Sequence, residues 1–178
     1  MVSVVIPVFN AEKHIHDCFQ SLSKQTLKSL EFIFIDDGSS DLSLEKIQEI
    51  QKLDQRVSYY SKINEGAGIA RNAGIELARG KYIGFMDVDD DISPLMFEKL
   101  VAAAEINEGD SVSCGHYLIH ESGKKEAKAD VLDTTILADE ASIAKFQLDL
   151  VGPGVKDSNI RLYSNSVWCQ GQITILSD

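Results

Sequence analysis

The sequence predicts an α/β fold with a mostly parallel central sheet flanked by helices. Short apolar runs rich in β-branched and aromatic residues recur at 2–8, 31–36, 57–61 and 82–86. Between them, apolar residues repeat every three or four positions, which is the helical period. Four such alternations within residues 1–105 favour right-handed crossovers, and so parallel strands with helices on both faces.

The first run, VSVVIPV, suits a strand buried on both faces. Asn10 can cap the helix that follows, where Ala11, Ile15, Cys18, Phe19 and Leu22 form one apolar stripe. The second strand, EFIFID, ends in the turn-rich Asp37-Gly38-Ser39-Ser40-Asp41, and Ile47, Ile50 and Leu53 mark the inward face of the next helix. Val57–Ser61 is a third strand. The loop Asn64-Glu65-Gly66-Ala67-Gly68 leads into a helix with Ile69, Ala70, Ala73 and Leu77 inward, stopped by Gly80. Tyr82–Met86 is a fourth strand, followed by Asp87-Val88-Asp89-Asp90-Asp91. Ser93 and Pro94 supply an N-cap and first turn for a helix carrying Phe97, Leu100, Val101 and Ala104. Further on, Val112, Cys114, His116 and Leu118 alternate as in a half-buried strand, and Ser122-Gly123-Lys124 can turn it into a hairpin. Asp139 can cap a helix reaching about Leu150, before the loop Gly152-Pro153-Gly154. Residues 1–110 and 111–178 are read as two halves of one compact domain.

Bulk properties narrow the function. The chain has 178 residues, 44% hydrophobic and 25% charged, enough to bury a core without staples. Its formal net charge of −11 opposes binding to nucleic-acid backbones and to anionic lipid through a basic patch. Cys18, Cys114 and Cys169 are odd in number and widely spaced, as in a reducing compartment. The N-terminus lacks a basic region and is interrupted at Pro7, and no apolar run approaches the roughly 20 residues of a membrane span. A cytoplasmic location is the expectation.

The unusual residues fall where ligands bind in open α/β sheets, beyond the carboxyl ends of strands. Pro7–Asn10, Asp36–Asp41 and Asp87–Asp91 each follow a strand. The last run packs four carboxylates into five residues, whose mutual repulsion a hard divalent cation would relieve. Magnesium and manganese both accept carboxylate and phosphate oxygens, so the run does not choose between them. A solvated acidic turn is the alternative. An EF-hand is excluded, because the sixth position from Asp87 is Ile92 rather than glycine. Asp36–Asp41 fits either a capped turn or a carboxylate that accepts bonds from a base or ribose. Arg71 fits either a diphosphate partner or an exposed surface residue. His14 and His16 do not share a helix face, and His116 and His120 would lie roughly 13 Å apart on one strand, so no zinc set emerges. The absence of GxGxxG after the first strand and of GxxxxGK[ST] removes the main support for dinucleotide oxidoreductases and P-loop NTPases. No GxSxG elbow or Cys/His pairing is present.

Three segments taken together, VSVVIPVFNAEKHI, SLSKQTLKSLEFIFIDDGSSD and NEGAGIARNAGIELARGKYIGFMDVDDDISPLMFEKL, resemble the family-2 glycosyltransferases over about residues 1–105. The resemblance implies a Rossmann-like GT-A fold, a nucleotide-diphosphate sugar donor (often a UDP-sugar), a saccharide or lipid-linked acceptor, and Mn2+ or Mg2+ on the diphosphate. On it, Pro7, Val8 and Phe9 line the base pocket and Asp37 bonds the base. Asn64 and Arg71 border the nucleotide. Asp87, Val88 and Asp89 match the DxD, with Asp87 toward ribose and metal, Asp89 on the metal, and Asp90 on the sugar side. It further implies polysaccharide or glycolipid synthesis, in keeping with peripheral association at the inner membrane face.

The inverting family draws its base from a carboxylate beyond a Trp-containing segment. Ser164-Asn165-Ser166-Val167-Trp168 resembles that segment, whereas Cys169–Asp178 does not continue the pattern. Glu126, Asp130, Asp133, Asp139 and Glu140 have no motif to recommend them, so no catalytic base is assigned. Residues 111–178 are therefore expected to be an incomplete acceptor-side half. A donor-binding module without turnover is the competing expectation. A nucleotidyltransferase is disfavoured because Pro7-Val8-Phe9-Asn10 is not a Gly-rich phosphate loop.

Overall fold

The computed structural model describes residues 1–107, 111–114, 116–119, 125–128 and 161–164. Strands β1 (Val2–Val8), β2 (Leu30–Asp36), β3 (Val57–Ser61) and β4 (Tyr82–Phe85) pair in parallel in the order β3-β2-β1-β4. Helices α1 (Ile15–Ser23), α2 (Ser43–Leu53) and α3 (Ala67–Leu77) connect them, and α4 (Met96–Asn107) follows β4. The α/β expectation holds.

Side-chain alternation along each strand divides the core into two layers. Val2, Val4, Ile6 and Val8 join Leu30, Phe32 and Phe34 on one face, against Ile15, Cys18 and Leu22 of α1, Ile47 and Ile50 of α2, and Phe97, Leu100 and Ala104 of α4. Val5, Ile33, Ile35 and Ile83 face the other way, against Ala70 and Ala73 of α3. Burial on both faces is why these strands read as continuous apolar runs. Helix α3 lies especially close to β1: a methyl group added at Gly74 would stand 2.2 Å from Val5 Cγ1. Small residues along α3 therefore set the distance between helix and sheet.

Several local expectations are corrected. Asn10 does not cap α1, which begins at Ile15 with His14 as an N-cap lacking a side-chain bond. Asn10 instead adopts φ 49°, a left-handed conformation that asparagine tolerates, and its Oδ1 accepts a bond of 2.8 Å from Ser40 N. Leu53, the last residue of α2, is 79% exposed and Leu77 of α3 is 44% exposed, so each apolar row ends one turn earlier than its periodicity suggests. Gly80 is not the stop of α3: the helix ends at Leu77 with Ala78 extended, and Gly80 N donates to Ser3 Oγ at 2.7 Å. Ser93 and Pro94 form a turn before α4, where Met96 N donates to Ser93 O at 2.9 Å.

The strand expected around 112–118 is two strands, β5 (Ser111–Ser113) and β6 (His116–Ile119). β6 pairs antiparallel with β7 (Lys125–Lys128), as the hairpin reading required. β8 (Arg161–Ser164), which periodicity did not reveal, runs antiparallel to both β4 and β5 and extends the main sheet to six strands, β3-β2-β1-β4-β8-β5. The helix expected at 139–150, the 152–154 loop and residues 165–178 lie outside the described residues. No described helix is long and apolar enough to cross a membrane.

Candidate functional site

The strand order places the site. From β1 the chain moves outward to β2 and β3, then returns past β1 to β4. The connections thus diverge at the carboxyl ends of β1 and β4, opening the kind of crevice that receives ligands in such sheets. Pro7, Val8 and Phe9 lie on one side and Asp87–Asp91 on the other.

Val8 pairs with Asp36, and its carbonyl accepts a 2.8 Å bond from Asp37 N. Val8 is 1% exposed and its side chain packs in the core. Pro7 is half-buried on the opposite face, and Phe9 is 53% exposed. Beside them, Asp36 and Asp37 are both buried but differently engaged. Asp36 Oδ2 accepts from Ser61 Oγ at 2.8 Å, and Oδ1 accepts from Ser39 N at 3.2 Å, closing the DGSS turn.

Asp37 is the hub of the neighbouring loop. Its Oδ1 accepts from Lys62 Nζ at 2.9 Å and Glu65 N at 3.1 Å, and its Oδ2 from Gly66 N at 2.8 Å. Burial pushes the carboxyl up, but the Lys62 ammonium and the two N–H groups outweigh it and hold Asp37 below its ordinary range. Burial likewise works against the charge on Lys62, and Glu65 and Asp37 together raise it above its ordinary value. Gly38, at φ 74°, completes the junction: a methyl group there would stand 2.8 Å from Asn64 N. Asn64 thus lies against the DGSS turn with its residue exposed.

Gly66, held by Asp37, is the N-cap of α3, and α3 carries Arg71. Arg71 Nη2 meets Asp87 Oδ1 at 2.7 Å, with side chains 27% and 36% exposed. One helix is therefore tied to β2 through Asp37 and to the end of β4 through Asp87.

The acidic run is not uniform. Asp90 N donates to Asp87 O at 3.1 Å, making residues 87–90 a turn. Val88 packs against the core and Asp89 is exposed. Asp91 Oδ1 accepts from Ser21 Oγ at 2.9 Å, tying that carboxylate to α1. Asp89 and Asp90 border a groove of about 390 Å3 against α1, lined also by His14, Asp17, Cys18 and Lys24. Burial, reinforced by Asp90 and Asp89, pushes the Cys18 thiol up to about 12. It remains a protonated core thiol, not a nucleophile.

Among the described residues no three His, Cys, Asp or Glu side chains converge to hold a metal. A hard cation such as magnesium needs only one or two protein carboxylates when substrate phosphates complete its shell. Asp87 and Asp89 carry carboxylate oxygens, the donor type that such an ion takes.

Sequence reasoning missed Lys62. The signal lay in strand register: Asp36 pairs with Ser61, so the next residues, Asp37 and Lys62, emerge side by side from β2 and β3. It also missed the groove on α1, since His14 and Asp17 became relevant only once the acidic loop was placed beside them.

Comparison with known proteins identifies the family. The family model described as glycosyl transferase family 2 matches residues 3–158. EpsJ of Bacillus subtilis, named as a glycosyltransferase, is 44% identical over 117 residues, 66% of this chain and 34% of EpsJ. EpsH of the same organism, named as a putative glycosyltransferase, is 38% identical over 133 residues, 75% of this chain and 38% of EpsH. Among solved structures, S. aureus TarS 1–349 in complex with UDP-GlcNAc superposes with TM-score 0.74 at 21% identity, covering 97% of this chain and 48% of that one. The Pyrobaculum calidifontis mannosyltransferase PcManGT, in complex with GDP-Man and Mn2+, gives TM-score 0.69 at 12% identity, covering 95% and 46%. The chain therefore spans just over a third of the two Bacillus relatives and about half of the solved chains. The chain belongs to the family-2 glycosyltransferases.

Proposed function

We propose that the chain binds a nucleotide-diphosphate sugar, a UDP-sugar foremost, and transfers the sugar with inversion to a saccharide or lipid-linked acceptor, assisted by Mn2+ or Mg2+. The observation that carries this reading is the switch-point crevice. It has an acidic turn at the end of β4 and a cation from α3 on its first carboxylate. The solved complexes of TarS with UDP-GlcNAc and of PcManGT with GDP-Man and Mn2+ support a donor and ion of this kind.

Each residue then has a physical task. Pro7 and Phe9 offer apolar surface to a base beside the Asp37 hub. Asp37 and Asn64 shape the base side of the pocket, and the bonds of Asp37 to Glu65 N and Gly66 N keep that wall in place. Arg71 offers two or more N–H donors to diphosphate oxygens. Asp89, with Asp87, would hold the divalent ion, which supplies charge neutralisation for the departing nucleoside diphosphate. Val88 fixes the turn through its packing, and Asp90 borders the sugar side. A net charge of −11 makes such neutralisation necessary for an anionic donor. Proposed roles in polysaccharide or glycolipid assembly at the cytoplasmic membrane face follow from the acceptor class.

Calorimetry of UDP with Mn2+, in the wild type and in Asp89→Ala, tests the donor site. The expected result is Mn2+-dependent UDP binding that the variant loses; equal, metal-independent binding in both proteins overturns the metal assignment. Turnover of UDP-sugars, read as UDP release with and without saccharide acceptors, separates a transferase from a donor-binding module.

A further inference from the structure

We propose that Arg71 stands in for the divalent cation in the donor-free site, so that the two positive groups exclude one another on Asp87 until a diphosphate draws the guanidinium away. This deepens the donor-site reading given above and rests on it.

Four carboxylates crowd residues 87–91 and require counter-charge. Asp91 is satisfied by the Ser21 hydroxyl on α1, and Asp87 takes the Arg71 guanidinium at 2.7 Å. An arginine cannot discharge itself by losing a proton, so a dication arriving on Asp87 meets a fixed positive charge a few ångströms away. Either the ion binds poorly or the side chain leaves.

The backbone of α3 is anchored at its N-cap and packed closely on the sheet. Gly66 at its N-cap donates to Asp37, and Gly74 lies against Val5 too closely to admit a methyl group. The movement required is that of the Arg71 side chain, which is 27% exposed. A diphosphate gives the guanidinium a better partner than one carboxylate, because its oxygens accept paired, charge-assisted bonds. Once Arg71 moves to the diphosphate, Asp87 is released to the metal. The ion and the nucleotide then favour each other's binding, and the coupling is reciprocal.

The test compares Mn2+ alone, by electron paramagnetic resonance of the free ion, in the wild type and in Arg71→Met, followed by UDP titrations with Mn2+ present. Losing a competing ion pair that is about one-third exposed should tighten Mn2+ alone by about three- to tenfold in the variant. UDP with Mn2+ should bind more weakly to the variant than to the wild type. Mn2+ affinity that is unchanged or weaker in Arg71→Met, including no detectable binding by either protein, overturns the inference. Arg71→Gln serves if circular dichroism shows that the methionine variant is unfolded. Failure of the wild type to bind UDP with Mn2+ would instead reject the donor-site reading, and a gain in Mn2+ affinity would still stand by itself.

Discussion

Lys62 Nζ and Asp37 Oδ1 lie 2.9 Å apart with side chains 10% and 3% exposed, the most enclosed ion pair among the described residues. The pair joins the end of β2 to the loop entering α3, and so connects sheet stability to the placement of Arg71.

Removing the acceptor should cost more than removing the donor. Asp37→Ala leaves the Lys62 ammonium with Glu65 as its remaining carboxylate and also frees Glu65 N and Gly66 N, whereas Lys62→Met leaves Asp37 with both N–H bonds. Expected losses are about 2–3 kcal/mol for Asp37→Ala and about 1 kcal/mol less for Lys62→Met. Urea denaturation of both variants checks the order. A milder effect for Asp37→Ala would mean that the loop does not depend on this hub.

The same pair predicts stability loss at both ends of the pH scale. Asp37 is held below its ordinary value of 3.8, so its contribution is complete above that pH and is lost as pH falls through the lower folded value. Lys62 is raised above its ordinary 10.5, so its contribution is complete below that pH and is lost as pH rises through the higher folded value. Unfolding midpoints for the wild type and Asp37→Asn should converge in strong acid and differ most between these limits. A constant difference down to pH 2 would argue that Asp37 gains nothing from its charge.

Much of the fold was legible because β1, β2 and β4 are buried on both faces, leaving uninterrupted runs such as VSVVIP and FIFI. The acidic turn was legible because four carboxylates in five residues have few uses. Helix ends were not: Leu53 and Leu77 keep the apolar period but lie past the sheet that would cover them. Asn10 looked like a cap because caps and left-handed turns draw on the same residue type. Strand β8 escaped because its partners β4 and β5 lie about 80 and 50 positions earlier, a pairing that local periodicity does not encode. The Lys62–Asp37 contact escaped for the same reason, since it depends on register between β2 and β3, and the Arg71–Asp87 contact because it depends on how α3 lies on the sheet.

Gly74→Ala should destabilise the protein although alanine is the better helix former. The new methyl would overlap Val5 Cγ1 at 2.2 Å, and Val5 is fully buried in β1, so α3 must lift from the sheet. The expected cost is about 1–3 kcal/mol, the usual range for overpacking a filled core. Because Arg71 is one turn earlier on that helix, UDP binding should weaken as well. Pairing the variant with Val5→Ala should restore much of both properties. Urea midpoints and UDP titrations on the single and double variants check this, and no recovery in the double variant would place the strain elsewhere.

The acidic run predicts a division of labour that single substitutions can expose. Asp89 is exposed beside the groove, whereas Asp91 accepts from Ser21 Oγ, which in turn accepts from Ile92 N at 2.9 Å. Asp91 therefore ties the loop to α1, and the expectation is that the proposed ion site does not need it. Asp91→Asn retains an oxygen for the Ser21 hydroxyl and should leave UDP affinity with Mn2+ within about twofold of the wild type, because the bond that holds the loop survives. Ser21→Ala removes the partner shared by Asp91 and Ile92 and should lower stability by about 1 kcal/mol. Asp89→Asn keeps the shape but removes the charge and should abolish the Mn2+ dependence of UDP binding. Calorimetry across the three variants, with and without Mn2+, is decisive: if Asp91→Asn and Asp89→Asn lose the metal effect equally, the run acts through its summed charge, and the assignment of the ion to Asp87 and Asp89 fails.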